Sequence, residues 1–247
     1  MANMQQLPKQ IRDDVEDQSL DILQQIQQYI VVIGGWAVRS YTTKSFKHAR
    51  YTLDVDAVAT PENIKTVNAI LAKENLMFSE KTDWGIKYYK PYRPNSGISY
   101  GPSFFKDLQI RIEISPPRIY EIDKNHYFEF NLKKTTKQTV VSHGKHRPVQ
   151  ATVPEIEYLV VNKLGLPADY KNRYDAAVLL TNSDFSKIFE IIKKTDKWEE
   201  MILRRLPKFI DRTKDKKDIA HMLLRRANIT ISDYLNQLIN IKQKLEK

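Results

Sequence analysis

The segment RYTLDVD, residues 50–56, carries two aspartates, Asp54 and Asp56, separated by one valine. The apolar residues around and after them predict a β-strand over residues 53–59. Side chains at positions i and i+2 of a strand project from the same face, so we expect the two carboxylates to lie side by side. Adjacent carboxylates repel each other unless a cation lies between them, and a hard divalent ion prefers oxygen ligands. This strand is therefore a candidate metal site, although a solvated polar face would explain the same pair of aspartates.

A second signal precedes this strand in the segment VIGGWAV, residues 32–38. Helical spacing of apolar residues predicts a helix over residues 17–29, and residues 30–33 predict a short strand after it. Gly34 and Gly35 end this strand before another helix that we expect to begin at Trp36. Glycine has no side chain to block a ligand, and the backbone N–H groups at the start of a helix bind anions. We therefore expect Gly34 and Gly35 to hold the phosphates of a nucleotide.

A third strand is predicted over residues 106–115, where apolar and polar residues alternate. Its polar face includes Glu113, and Asp107 on the same face is the alternative candidate. A third carboxylate beside Asp54 and Asp56 would complete a site for one or two Mg²⁺ (or Mn²⁺) ions. Such a site clamps the attacking and leaving oxygens of a phosphoryl displacement.

The remaining pattern divides the chain into two parts. Thr60 and Pro61 predict the start of a helix that runs to about Lys73. Further strands are predicted over residues 127–132 and 138–142, joined by a polar turn. The segment TVPE, residues 152–155, has the signature of a capping box, and helical patterns follow it to the end of the chain. The fold class is therefore α+β: an α/β domain over residues 1–150 and a helical domain over residues 151–247.

Composition limits the class of protein. Hydrophobic residues make up 41% of the 247 residues and charged residues 28%, as in ordinary globular proteins. No apolar run approaches the roughly 18–20 residues of a membrane span. The first residues lack the basic start and apolar core of a secretion signal, so we expect a cytoplasmic protein with no membrane partner. The absence of cysteine excludes disulfides and thiolate zinc sites. We expect His143 and His146 to lie exposed in a Gly-Lys turn and not to bind metal.

The charge is unevenly distributed. The chain has a formal net charge of +10, and residues 182–247 hold 16 Lys and Arg against 10 Asp and Glu. Such an excess favours polyanionic partners, because cationic side chains neutralise phosphates. A solvated lysine-rich surface explains the same excess.

The segments at residues 32–38 and 50–56 together resemble the nucleotidyltransferase superfamily of the DNA polymerase beta type. The resemblance is strongest to the AbiEii-like toxin group and to the antibiotic nucleotidyltransferases that carry Gly-Gly-Trp-Ala. It implies a mixed β-sheet with flanking helices, in which Gly34 and Gly35 hold the nucleotide phosphates. Asp54 and Asp56 would bind metal and act in catalysis, with Glu113 as the third carboxylate.

The resemblance extends into the helical part. Residues 153–164 and 172–175 are similar to the AbiEii-type pattern of a helix lysine followed by a helix with arginine and aspartate. By this likeness Lys163 contacts the nucleotide phosphates and Asp175 lies nearby. Apart from the likeness, Arg50 is a candidate to steer the phosphates, and a solvated basic linker over residues 43–50 explains its charge equally well. We expect the Lys163 ammonium to face the cleft that holds Asp54 and Asp56. The chain departs from the pattern in having glutamate at position 113, where aspartate is commoner.

The predicted activity is transfer of a nucleoside monophosphate from an NTP to an acceptor hydroxyl. The acceptor is RNA (including tRNA) or a small molecule of the antibiotic type, and the basic C-terminal part favours RNA. A rival from another class is a catalytically silent nucleic-acid-binding protein on the same fold. A second rival gives the helical part an interaction role, such as binding a cognate antitoxin.

Overall fold

A five-stranded mixed β-sheet organises the first part of the chain. In the computed structural model the described residues are 7–42, 50–81, 85–95, 108–120, 126–144 and 148–247. The strands of this sheet are β1 (Val31–Ile33), β2 (Asp54–Val58), β3 (Met77–Lys81), β4 (Ile86–Pro91) and β5 (Gln109–Ser115). Their order across the sheet is β1-β2-β5-β4-β3. Strand β2 runs parallel to β5, and the other neighbours are antiparallel.

The alternation predicted for the third strand is confirmed in β5. Ile110, Ile112 and Ile114 are fully buried, whereas Arg111 and Glu113 are partly exposed. One face of this strand therefore belongs to the core, and the other carries polar side chains. The strand begins at Gln109, and Asp107 lies outside the described residues.

Three helices accompany the sheet in sequence. They are α1 (Lys9–Ile26), which ends in a 3₁₀ turn at Gln27–Tyr29, α2 (Gly34–Ser40) and α3 (Pro61–Lys73). The predicted start of α3 is confirmed, because the Thr60 side chain accepts a hydrogen bond from the Asn63 amide at 3.4 Å. Helix α2 begins at Gly34, two residues earlier than expected.

Two further strand pairs follow the central sheet. Strand β6 (Arg118–Tyr120) pairs with β7 (Tyr127–Glu129), and β8 (Thr135–Val141) pairs with β9 (Pro148–Pro154). Strands β7 and β8 flank the predicted polar turn, as expected, and they belong to different sheets. A polar turn shows where a strand ends and does not determine which segment pairs with it.

The capping box predicted at residues 152–155 is also wrong. Thr152 lies inside β9, and helix α4 (Ile156–Gly165) has Glu155 at its N-cap with no side-chain capping bond. Val149, Ala151 and Val153 are buried at every second position, as a strand requires. The segment up to Pro154 is therefore a strand, and its capping-box pattern does not mark the start of the helix.

The last part of the chain is helical, as predicted. After α4 the helices are α5 (Tyr170–Leu180), α6 (Phe185–Lys193), α7 (Asp196–Lys214), α8 (Ile219–Arg226) and α9 (Ile231–Leu245). Asp169, Asp184 and Asp218 cap α5, α6 and α8 by accepting backbone N–H groups of the first turn. None of the helices in the described ranges has the length and apolar character to cross a membrane.

The chain divides into two compact units that are each discontinuous in sequence. The first contains residues 1–40, 51–117 and 131–153, and the second contains residues 41–50, 118–130 and 154–247. Both the short segment before β2 and the β6–β7 pair therefore group with the C-terminal helices. The expected boundary at residue 150 stays a prediction.

Trp198 packs against the end of α4 in the second unit. Its indole N–H donates to the Val161 carbonyl at 2.9 Å, and the ring is fully buried. A Cβ at Gly165 would lie 2.8 Å from Cζ2 of this indole. The absence of a side chain at position 165 is therefore what admits the tryptophan.

We predict that Gly165→Ala lowers the free energy of unfolding by about 1–3 kcal/mol, because the added methyl group overpacks the site. Urea unfolding of the whole chain measures this loss. In a Trp198→Leu background the same substitution should cost much less, since the indole is gone. An equal cost in both backgrounds would contradict the packing described for Gly165.

Candidate active site

Asp54 and Asp56 lie on one face of β2, as predicted. Both are partly exposed, while Val55 between them is fully buried. The parallel register pairs Asp54 with Arg111 and Asp56 with Glu113 on β5. Neighbouring strands lie about 4.8 Å apart, so Asp56 and Glu113 are adjacent on the polar face. The sheet thus brings together the three carboxylates named from the sequence.

The register continues as one row across all five strands. Ile33 pairs with Asp56, Asp56 with Glu113, Glu113 with Lys87, and Lys87 with Glu80. The Lys87 ammonium lies 2.7 Å from the Glu80 carboxylate, and both side chains are well exposed. Across the sheet, the two acids Asp56 and Glu113 are therefore followed by the cation Lys87 on β4.

The surroundings of Glu113 raise the pKa of its carboxyl group. Burial is the largest cause, and the negative charges of Asp54 and Glu80 raise the pKa further. Lys87 acts in the opposite direction without cancelling the effect. The ionised form of Glu113 is therefore disfavoured, chiefly by burial.

The turn between β1 and α2 lies directly against Asp56. Gly34 has a φ of 65°, a backbone conformation that glycine adopts readily and other residues rarely do. A Cβ at this position would lie 2.9 Å from the Cβ of Asp56. Gly34 is therefore needed for the close approach of the turn to the carboxylate. Gly35 follows it in the first turn of α2 and is buried.

The second unit holds a separate cluster of the residues assigned to nucleotide binding. The Arg50 guanidinium donates to both carboxylate oxygens of Asp175, at 2.8 and 3.0 Å. The Lys163 ammonium lies 3.0 Å from the same carboxylate and 3.3 Å from the Asn172 side-chain oxygen. All three charged side chains are buried. Two cations thus share one carboxylate.

The charge of Asp175 is held by these cations. Burial alone would raise the pKa of its carboxyl group, but Arg50 and Lys163 more than offset that effect and lower it. The expected orientation of Lys163 toward Asp54 and Asp56 stays a prediction. What the second unit shows is a lysine whose ammonium contacts Asp175 and Asn172.

The carboxylates of β2 and β5 suit a cation, although the side chains are not arranged as a finished metal site. Within the described ranges, no group of three Asp, Glu or His side chains is positioned to hold a metal ion. The carboxylates on the shared face nevertheless repel one another, and a divalent cation between them would relieve this repulsion.

Sequence reasoning missed a buried network around Glu16 on α1. The Glu16 carboxylate is fully buried and accepts hydrogen bonds from the Arg39 guanidinium, the Thr52 amide and His143. Burial would raise its pKa, but His143 and Arg39 lower the pKa of Glu16 to about 2.

The expectation that His143 lies exposed is wrong, because its ring nitrogen Nδ1 lies 2.9 Å from Glu16 and the residue is half-buried. His146 lies outside the described residues. One signal was present in the sequence: Glu16 shares a helical stripe with Leu20 and Leu23 at spacings i, i+4 and i+7, where an apolar residue is the norm.

Comparison with known proteins gives distant structural likeness only. No family model and no curated relative matches the chain. The JHP933 protein from Helicobacter pylori is 14% identical with a TM-score of 0.48, and the match covers 97% of this chain and 95% of that one. ANT(2'')-Ia, solved with adenylyl-2''-tobramycin, is 13% identical with a TM-score of 0.45, covering 71% of this chain and 91% of its own. The lincosamide antibiotic adenylyltransferase LnuA, solved with lincomycin, is 12% identical with a TM-score of 0.42, covering 68% and 96%.

We predict that Glu113→Gln stabilises the fold at neutral pH. Because the pKa of Glu113 is raised in the folded state, that state binds the proton more tightly than the unfolded chain. The free energy of unfolding of the wild type therefore falls as pH rises from about 4.5 through the raised pKa. Glutamine does not titrate and avoids this loss, so urea unfolding should show an advantage for Glu113→Gln that grows from pH 4 to pH 8.

The control for this measurement is Glu62→Gln in the first turn of α3. The pKa of Glu62 is lowered, chiefly by a backbone hydrogen bond, so its replacement should give a trend of opposite sign. A pH-independent difference between Glu113→Gln and the wild type would show that the pKa of Glu113 is not raised in the folded state.

We predict that Asp175→Asn destabilises the chain by about 3–5 kcal/mol at neutral pH, because it removes a buried carboxylate that two buried cations contact. The pKa of Asp175 is lowered, so its stabilising effect is present above its ordinary pKa of 3.8 and is lost as pH falls below that value. The matched control is Glu129→Gln, which breaks an exposed pair with Arg118. Its effect should stay within about 1 kcal/mol. Similar losses in the two variants would refute the buried triad.

Proposed function

We propose that this chain is a metal-dependent nucleotidyltransferase that transfers a nucleoside monophosphate from an NTP to an acceptor hydroxyl. The observation that carries the proposal is the in-register pairing of β2 with β5. This pairing supports it by aligning Asp56 with Glu113, with Asp54 on the same face. The Gly34 turn against Asp56 adds a place where backbone approaches the acids without a side chain between them.

Asp54, Asp56 and Glu113 would hold Mg²⁺ or Mn²⁺. When bound, such an ion neutralises phosphate charge and stabilises the charge that develops in the displacement. Carboxylate oxygens are the ligands that these hard cations prefer. The position of Glu113 opposite Asp56 on the polar face supports this assignment, because it places a third carboxylate beside the pair on β2.

Glu113 is also the proposed proton acceptor. In the reaction, the acceptor O–H bond breaks and its proton passes to the Glu113 carboxylate. The oxygen then forms a bond to the α-phosphorus, and pyrophosphate leaves. A carboxylate whose pKa is raised toward the working pH is a better general base than an ordinary one. Lys87 lowers the pKa of Glu113 and so limits its rise, which favours the ionised form that can accept the proton.

In the first unit, Gly34 and Gly35 are the proposed phosphate-binding residues. In the second unit, we propose Arg50, Lys163 and Asp175 for nucleotide binding. The support there is a buried guanidinium and a buried ammonium that both contact the Asp175 carboxylate. Charged donors of this kind form strong hydrogen bonds to phosphate oxygens. Asp175 would keep the two cations at fixed positions.

We propose RNA, including tRNA, as the acceptor, with a small-molecule hydroxyl as the alternative. The exposed side of α7 supports the first choice. Arg204, Lys208 and Arg212 lie there at four-residue spacing, and all three are exposed. Residues four apart share one face of a helix, so these side chains form a basic stripe suited to a phosphate backbone.

The experiment that tests the proposal incubates the protein with each α-labelled NTP and Mg²⁺ or Mn²⁺. One arm adds total RNA and another adds a panel of polyhydroxyl small molecules. We predict that Asp54→Asn and Asp56→Asn each reduce label transfer by roughly 100-fold or more while the fold survives. Glu62→Gln, an exposed carboxylate in the same unit, is the control that should transfer normally.

Thermal unfolding gives a second readout of the same prediction. Mg²⁺ with an NTP should raise the melting temperature of the wild type by mass action, and should raise that of the two aspartate variants less. Normal transfer by both variants would end the nucleotidyltransferase proposal. No thermal response to any NTP with either cation would favour the catalytically silent rival.

A further inference from the structure

We propose that Glu16 is a positioning residue that fixes the Asp54–Asp56 strand and the Gly34 helix with respect to each other. The inference rests on the proposed function in taking these elements to be the site. It goes further by assigning a role to a buried side chain of α1, outside the sheet. Glu16 acts through other residues, so it is not a catalytic residue.

The first contact of Glu16 is with the chain just before β2. Its Oε1 accepts the Thr52 amide at 2.7 Å, two residues before Asp54. Thr52 is buried, as is Glu16. Since β2 begins at Asp54, this bond holds the strand at the point where it enters the sheet.

The second contact is with the last turn of α2. Arg39 donates from Nη2 to Oε1 at 2.7 Å and from Nη1 to Oε2 at 2.9 Å. Its guanidinium also lies 4.9 Å from the ring centroid of Trp36 on the same helix. Because α2 is only seven residues long and begins at Gly34, anchoring Arg39 fixes the direction of the whole helix.

These two contacts lie on either side of residues 41–50 in the sequence. The first unit ends one segment at Ser40 and resumes at Tyr51, while residues 41–50 belong to the second unit. Glu16 bonds Arg39 just before this segment and Thr52 just after it. The Glu16 carboxylate thus joins α2 to the start of β2, two elements of the site that residues 41–50 separate in the sequence.

The network needs a carboxylate and not merely a polar side chain. His143 donates its backbone amide to Oε2 at 3.1 Å, and its Nδ1 lies 2.9 Å from the same oxygen. Both oxygens of Glu16 therefore face donors. In glutamine one of them becomes a donor itself, so Glu16→Gln must leave at least one of these groups facing another donor.

A neighbouring carboxylate on the same helix provides the matched control. Asp14 is also buried, but it binds the segment after β4, accepting the Tyr92 hydroxyl at 2.6 Å and the Asn95 amide at 3.1 Å. Asp14→Asn therefore removes a buried, hydrogen-bonded charge from α1 without touching Thr52 or Arg39.

The test compares Glu16→Gln with Asp14→Asn in the full chain. Both should lower the midpoint of urea unfolding, because each removes a buried charge with several partners. Only Glu16→Gln should shift the amide NMR resonances of Gly34, Asp54 and Asp56. It should also weaken Mn²⁺ binding, measured by electron paramagnetic resonance, by about 10–100-fold, as expected for residues that orient metal ligands.

The two readouts separate this inference from the proposed function. If the wild type binds no Mn²⁺, the proposed function fails, while the NMR shifts still decide the positioning role. If Glu16→Gln and Asp14→Asn give the same shifts and the same Mn²⁺ affinity, Glu16 is merely structural and the inference is overturned.

Arg39→Lys covers the case in which Glu16→Gln does not fold. It keeps the positive charge but loses the two parallel bonds to Glu16. This variant should shift the Gly34 resonance more than that of Asp54, because Thr52 remains bonded to Glu16. Unchanged resonances in Arg39→Lys would overturn the inference as well.

Discussion

The parallel pairing of β2 with β5 is the constraint on which the first unit depends. Side chains alternate along a strand, so a slip of one residue would turn every side chain to the opposite face. The observed register buries Val55 with Ile112 in the core and leaves Asp56 beside Glu113 on the polar face. The apolar core and the candidate site therefore lie on opposite faces of the same pair of strands. Packing energy on the apolar face holds together carboxylates that would otherwise separate.

Local periodicity carried most of what the sequence could predict. The alternation around Glu113 and the Thr60 cap are properties of consecutive residues, and both agree with the structure. The partners of β7 and β8 were beyond it, because strand pairing joins segments that the local pattern does not connect. The network of Glu16 was missed for the same reason: its partners lie 23 to 127 residues away in the chain. The local pattern does not identify the distant residues that a buried charge contacts.

Buried charges are arranged differently in the two units. In the first, Glu16 accepts hydrogen bonds from several donors and pairs with Arg39, so the network fixes the backbone segments that carry these donors. In the second, the Asp175 carboxylate contacts two cations, Arg50 and Lys163, and holds both in place. Burial makes both effects stronger than they would be in water.

The interleaving of the two units has a consequence for how the protein is made. Arg50 precedes its partner Asp175 by 125 residues, so during synthesis the arginine emerges long before the carboxylate that will neutralise it. The first unit likewise needs residues up to 153 before its last segment is present. The first unit therefore cannot close on the ribosome before residue 153 has emerged, and the second unit also needs the C-terminal helices. Contacts between distant segments make folding slow relative to a helical bundle of the same size.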